Sequence, residues 1–412
     1  MGLAGGRHGA ASVRRPRRLP DTRRTLMSDM TSERLALAAR MDEAGVFAHP
    51  EWRRAVEAVP RELFLRPGVF VPDEVGRWSP VPADRIDPAL AYSDQSLVTQ
   101  LDDALTTEDV SEAVWGTPTS SSTVPSLVVD MLGKAGIERG HKVLEIGTGT
   151  GYSTALMCHW LGADAVTTVE VDPGVAWRAH DALRQAGYEP ETETGDGLLG
   201  HPAGAPYDRL ISTCAVRRVP YAWVRQVKAG GDILTTLGSW PNGSGLLRLT
   251  VHENGSATGN LLGHTSFMQA RAQVPPPVAA DLTARTAYAD TDRMTDLHPS
   301  LLLGGGMPAF LAQLTAPGSQ VIQATGEEPG VFETVLVDAE RESYAQFRPD
   351  GEGWRVRQGG PVPLWDEIER LIRMWQSAGS PGIETVRVRV TEESHTYRVA
   401  DDRNLYWLHR LV

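Results

Sequence analysis

The sequence predicts an α/β fold, with a mostly parallel sheet covered by helices on both faces and an additional α+β region behind it. Three observations lead there. Between residues 117 and 262, strand-like and helix-like runs alternate with short connections, which requires crossover helices over a parallel sheet. One strand-like run, "KVLEIG", passes directly into a glycine-rich turn and a helical run. After a Pro-rich break, "QVPPPVAAD" (273–281), the rhythm changes. Strand-like runs at 331–338 and 383–390 there accompany one amphipathic helix near 363–378.

The elements follow in order. Residues 31–66 read as helices: "SERLALAARMDEAG" and "PEWRRAVEAVPRELFL" space apolar residues three to four apart, and Pro60 ends the second run. Residues 67–116 are rich in Pro and Asp and read as loops with a short helix over a cleft. "SLVVDMLGKAG" is a helix stopped by Gly136. "KVLEIG", "AVTTVEVD" and "YDRLISTCA" are strands, with helices at "YSTALMCHWLG" and across 173–187. "VPYAWVRQVKAGGDILTTLG" reads as helix, turn and strand. In the later helix Leu364, Ile368, Leu371, Ile372 and Trp375 share a face. Trp354, Trp365, Trp375 and Trp407 are either aromatic anchors for a peptide or the filling of a small core. The expected domains are a basic disordered tail (1–30), helices and an active-site cover (31–116), a cofactor-binding core (117–270) and an accessory region for peptide recognition (271–412).

Composition narrows the function. A chain of 412 residues suggests two domains, or one with additions. It is 41% hydrophobic and 22% charged, with no apolar run of the roughly 18 to 20 residues that span a membrane. A net charge of −12 disfavours nucleic acid. The charge is uneven, because residues 1–26 hold seven Arg against Asp21. That segment lacks a secretory apolar run. It reads as a disordered tail, as sequence upstream of a start at Met27 or Met30, or as an arm for an acidic partner. Cys158 and Cys214 are the only cysteines, which favours a reducing cytoplasm. The 11 His are scattered and no metal site is expected.

The strongest local signal is "VLEIGTGTGYSTAL" (143–156). Glycines at 147, 149 and 151 allow a sharp turn and close approach of a ligand. A dinucleotide fingerprint needs glycine at 152, where Tyr152 stands. The G-x-G-x-G pattern behind Glu145 instead suits a nucleoside carrying a sulfonium amino acid, S-adenosyl-L-methionine. Glu170 ends the second strand, 19 residues after Gly151, where a carboxylate accepts both ribose hydroxyls. Asp196, in "TGDGLL", is placed for the adenine amino group. The cofactor set is therefore Glu145, Gly147, Thr148, Gly149, Gly151, Tyr152, Glu170, Val171, Asp196 and Gly197. Read singly, these are ordinary turn glycines and strand-end acids.

Further motifs resemble the protein-L-isoaspartate O-methyltransferase family: "AVEAVPRELFL" (55–65), "AYSDQSL" (91–97), "GDGLLGHPAGAPYDRLISTCA" (195–215) and "VPYAWVRQVKAGGDILTTLG" (219–238). The resemblance implies a Rossmann-like class I methyltransferase that esterifies a peptide carboxylate. It also implies an active-site hydroxyl in "TSSSTVPSLVVDML" (119–132): aligning on Pro125 sets Thr123 at the family's Ser, with Ser121 and Ser122 just before it. Read alone, that run is a helix cap or loop.

An acidic insert near 101–114 and the long C-terminal region depart from the family pattern. This layout resembles a branch found with ATP-grasp ligases that crosslink ribosomally made peptides (graspetides). That resemblance implies methylation of an Asp side chain in one modified precursor, leading to aspartimide and isoaspartate, with an ATP-grasp ligase as pathway partner. The alternatives are repair of isoaspartyl proteins and a non-catalytic scaffold that binds cofactor or peptide. A carboxylate acceptor is ionised at neutral pH and needs no strong base. Alignment is then the main contribution, worth roughly 7 to 11 kcal/mol.

Overall fold

The computed structural model describes residues 30–240, 242–278, 282–325, 332–400 and 405–410. The basic tail apart from Met30, and the proposed start at Met27, lie outside them.

Helices Thr31–Glu43 and Pro50–Ala58 form as the apolar spacing predicts. His49 caps the second by accepting from the Glu51 N–H (3.2 Å), and Pro50 opens it. Their buried faces (Leu37, Met41, Trp52, Val56) meet Val129, Leu132, Leu156 and Trp160 of two later helices. Trp52 sits edge-on to Trp160 at 4.5 Å.

Residues 67–122 depart from the expected loops. Strands β1 (Gly68–Pro72), β2 (Trp78–Pro82), β3 (Leu97–Leu101) and β4 (Pro118–Ser122) form an antiparallel sheet in the order β2-β1-β3-β4. The signal was hidden for two reasons. β2 is an edge strand that tolerates Pro80 and Pro82. β3 is buried at all five positions, so its residues do not alternate. The expected short helix is present at Pro88–Ala91.

The centre follows the predicted alternation. Strands β5 (Val143–Ile146), β6 (Val166–Glu170), β7 (Glu191–Thr194), β8 (Tyr207–Val216) and β9 (Val227–Leu237) are all parallel, in the order β7-β6-β5-β8-β9. Helices Pro125–Lys134, Tyr152–Leu161 and Pro173–Gln185 supply the covering layers. The strand order reverses between β5 and β8, so the crevice at their carboxyl ends is where a ligand binds.

Beyond β9 the sheet continues with antiparallel strands β10 (Gly245–Val251) and β11 (Ala257–His264). β12 (Thr291–Thr295), β13 (Ser319–Thr325), β14 (Phe332–Asp338), β15 (Ser343–Asp350) and β16 (Gly353–Gly359) make a separate antiparallel sheet. The chain then returns: β17 (Val386–Val390), β18 (Ser394–Val399) and β19 (Tyr406–Arg410) extend the main sheet from β11. The main sheet thus has ten strands, joined by four parallel and five antiparallel pairings. The expectation of a mostly parallel sheet holds for its β7-to-β9 half alone. A boundary at 271 also separates β11 from its partner β17.

Helix Gly306–Thr315 joins the two sheets. Phe310, Leu311 and Leu314 pack on the main sheet, while Ala309 and Ala312 meet Leu336, Phe347 and Trp365. Helix Leu364–Ser377 buries the predicted Leu364, Ile368, Leu371 and Ile372. Trp365 is fully buried, edge-on to Phe347 at 4.8 Å, and Trp354, Trp375 and Trp407 pack at core margins. Core filling accounts for Trp365, and the other three rings each pack in part against a core cluster.

Candidate active site

A cavity of about 410 Å³ opens at the β5/β8 reversal, within the range of small-ligand sites. The glycine loop, Glu170–Val171, Asp196–Leu198, Thr213–Cys214, the 119–124 segment and residues 266–272 wall it.

The glycine loop is built by backbone demands. Gly147 has φ +90°, and a Cβ there would stand 2.8 Å from Thr213 Oγ1. The Gly147 N–H donates to Val169 O (2.8 Å), and Thr213 donates to the Gly147 carbonyl. Thr148 and Thr168 share a hydrogen bond of 2.7 Å. Gly151 has left the cavity wall: its missing side chain lets the helix start pack against Ala179 and Leu183. Gly197 packs on Ile146, which a Cβ would approach to 2.5 Å.

Glu170 lies in the cavity wall, 8% exposed. Its Oε2 accepts from the Gly149 N–H (2.9 Å) and its Oε1 from the Asp172 N–H (3.1 Å). Burial raises its pKa above the usual glutamate range, against those hydrogen bonds and the Arg271 charge. Asp196 lies at another wall and caps the turn that follows it by accepting from the Leu198 N–H (2.9 Å). Val171 stands half exposed at the rim.

Glu145 is not brought to the cavity. It is fully buried beneath the loop, accepting from Ser153, Thr154 and Thr168 hydroxyls. Burial raises its pKa, and its three donors tie the following helix to β5 and β6. The expectation of a ligand contact is corrected to a structural anchor.

The acceptor segment divides likewise. Ser121 and Thr123 line the cavity. Ser122 does not: it is 1% exposed, and its hydroxyl accepts from Arg61 Nε (3.3 Å). Arg61 is the residue the sequence reading missed. Wholly buried, it donates to Ala91 O (3.0 Å), Ser93 O (2.8 Å), Gln95 O (3.0 Å), Ser122 O (3.4 Å) and Thr123 O (3.4 Å). Its guanidinium therefore shapes the loop that carries Thr123, using neutral oxygens alone. Burial lowers its pKa to about 10, so it stays charged at neutral pH. It also sits 5.9 Å from the ring of Tyr152, a buried wall residue.

A second missed group spans the cavity edge. Arg271 donates to Asp172 (2.9 Å) and Gln100 (3.0 Å) and pairs with Asp103 (3.1 Å). Gln100 donates to Asp172 (3.1 Å) and accepts from Thr119 (3.0 Å). Asp103 belongs to the acidic insert, so the insert holds the 266–272 strap. The strap itself is laid along β8 by the Ala215 N–H to Met268 O and Ala270 N–H to Ala215 O bonds, both 2.8 Å. The wall thiol of Cys214 is pushed up to about 11 by burial and remains protonated.

S-adenosylmethionine fits these residues. The positive-φ glycines keep side chains out of the cavity, and Glu170 offers oxygens already oriented by backbone donors. A solved protein-L-isoaspartate O-methyltransferase aligns with TM-score 0.51 at 22% identity, covering 92% of this chain and all of that one. The likeness of fold therefore extends well past residue 274, so the C-terminal region does not by itself set this chain apart. A family model, Protein-L-isoaspartate(D-aspartate) O-methyltransferase, matches residues 91–274. The protein-L-isoaspartate O-methyltransferase of Ignicoccus hospitalis is 32% identical over 235 residues, 57% of this chain and 95% of that protein. Protein-L-isoaspartate O-methyltransferase 2 of a Polaromonas species is 40% identical over 116 residues, 28% of this chain and 54% of that one. Fold and cavity together define a class I S-adenosylmethionine-dependent methyltransferase. The chain belongs to the protein-L-isoaspartate O-methyltransferase family and is a carboxyl O-methyltransferase.

Proposed function

We propose that this enzyme methylates the carboxylate presented by an isoaspartyl residue in a peptide or protein. The carrying observation is one cavity with hydroxyls at one wall, Ser121 and Thr123, and the glycine loop with Glu170 at another. The relatives named above support the acceptor. When bound, the cofactor supplies an electrophilic methyl group.

In this reading Thr123, aided by Ser121, donates to one acceptor oxygen and leaves the other to react. Arg61 holds the Thr123 loop in place. Gly147, Thr148 and Gly149 line the cofactor's path, Glu170 accepts from its ribose hydroxyls, and Asp196 from its adenine amino group. Tyr152, Val171 and Gly197 complete the wall. The acceptor is a carboxylate, so no side chain has to remove a proton. The strap limits water at the reacting centre. Among the described residues no helix is long and apolar enough to cross a membrane. A cytoplasmic setting is part of the proposal.

A second reading takes the acceptor to be an Asp side chain in an ATP-grasp-crosslinked precursor, forming aspartimide after esterification. Thr123 in place of Ser favours it, since the added methyl alters the acceptor wall. Mass spectrometry after incubation with cofactor separates the two. A methyl gain on a linear isoaspartyl peptide supports the first reading. A methyl gain or water loss on the crosslinked peptide alone supports the second and overturns the first.

A further inference from the structure

The antiparallel wing buries one face and leaves the other to solvent. Val386, Val388 and Val390 are buried on β17 while Arg387 and Arg389 are exposed. On β18, His395, Tyr397 and Val399 are buried and Arg398 is exposed. On β19, Tyr406, Leu408 and Arg410 are exposed. The register puts Arg387 directly opposite Arg398, and Arg398 opposite Tyr406. Like charges facing each other across a strand pair are destabilising. Among the described residues no ion pair engages Arg387, Arg389, Arg398 or Arg410. Arg248 in the same row, by contrast, is matched by Asp232 at 2.8 Å. The nearby acids Glu392 and Glu393 lie in the turn at the end of the face. An unmatched cationic face with an aromatic and a leucine on it stands out in a chain of net charge −12.

We propose that this face docks an acidic segment of the peptide whose reacting residue occupies the cavity. The inference rests on the peptide acceptor proposed above. Position supports it. Arg248, in the row that continues through Asn260 to Arg387, lies beside Gly136 near the end of helix Pro125–Lys134. That helix begins just after Thr123, so the exposed row lies on the same face of the sheet as the helix, with the helix's length between Arg248 and the acceptor wall. From β11 the chain enters the cavity wall at Ser266. β17 is four strands from β8, about 19 Å at ordinary strand spacing, which about six extended residues cover. Charge complementarity selects an acidic segment there.

The test uses the full chain and two isoaspartyl peptides. One carries a Glu-rich segment about six residues from the acceptor, and the other has Gln in its place. The wild type is expected to show a KM about tenfold lower for the Glu peptide with equal kcat. Arg387→Gln, Arg389→Gln and Arg398→Gln combined should remove that preference and leave turnover of the Gln peptide unchanged. No preference in the wild type, or equal losses on both peptides, overturns the proposal, as does equally tight binding of a DNA duplex. Fluorescence anisotropy of the labelled Glu peptide gives a second readout that needs no methyl transfer. If neither peptide is methylated, the isoaspartyl acceptor fails while the anisotropy difference between wild type and variant still decides this surface.

Discussion

Ser122 and Thr123 carry the same functional group one residue apart, yet the extended chain turns Ser122 onto Arg61 and Thr123 onto the cavity. Thr123→Ala is therefore expected to lower kcat about 10- to 100-fold, the worth of a hydrogen bond to a charged group, with cofactor affinity nearly unchanged. Ser122→Ala should leave kcat within a few-fold and lower the urea midpoint instead. Equal effects of the two on kcat would contradict their assignment. Glu170 adds a pH dependence. In the role proposed for it, its ionised form accepts the ribose hydroxyls, and burial raises its pKa. As pH falls through that raised value the acceptor is protonated, so cofactor affinity should decline at a higher pH than an ordinary glutamate would give. Calorimetric titration across pH checks this, and Glu170→Gln should bind weakly at every pH with that acid limb gone. At this scale the sequence showed the cavity-lining groups well where pattern fixes direction, as at Gly147 and Glu170. It failed at Glu145 because a strand-end acid carries no mark of whether it points to the ligand or beneath the loop. It failed at Arg61 because charged residues are expected at the surface.

The strap is the wall element that the sequence showed least. Its anchor Arg271 collects Asp172, Gln100 and Asp103 from segments up to 171 positions away, a convergence that no local pattern carries. Arg271→Ala is expected to free the strap and speed cofactor release several-fold, measured by stopped-flow displacement, with the melting temperature little changed because Arg271 is partly exposed. Release at the wild-type rate would leave the strap as inert wall. Through Asp103 the acidic insert is tied to that anchor. The helices and parallel strands were legible because each is short-range and strongly periodic. The β1–β4 sheet was not, because its edge prolines and its fully buried β3 erase alternation.

At the scale of the molecule, the C-terminal region is both a second sheet and a continuation of the first. β11 pairs with β17 from Ala257↔Val390 to Asn260↔Arg387, so the main sheet closes only when the last third of the chain has folded. That pairing joins segments far apart in sequence, which is why periodicity revealed β17 as a strand but not its place. Ending the chain before residue 275 would uncover Leu247, Leu249 and Leu261, all fully buried. The truncated chain is expected to aggregate or to lose cooperative urea unfolding. A cooperative, soluble product that binds cofactor would show instead that the region is an independent unit.

Methyl transfer to a carboxylate in this cavity can be read out directly. The most direct measurement incubates the enzyme with methyl-labelled S-adenosylmethionine and an isoaspartyl peptide, then exposes the product to mild alkali. A methyl ester releases its label as volatile methanol, and Thr123→Ala should incorporate far less. That is the predicted result. Label that survives alkali, or that Thr123→Ala incorporates at the wild-type rate, would contradict a carboxylate acceptor held by this wall.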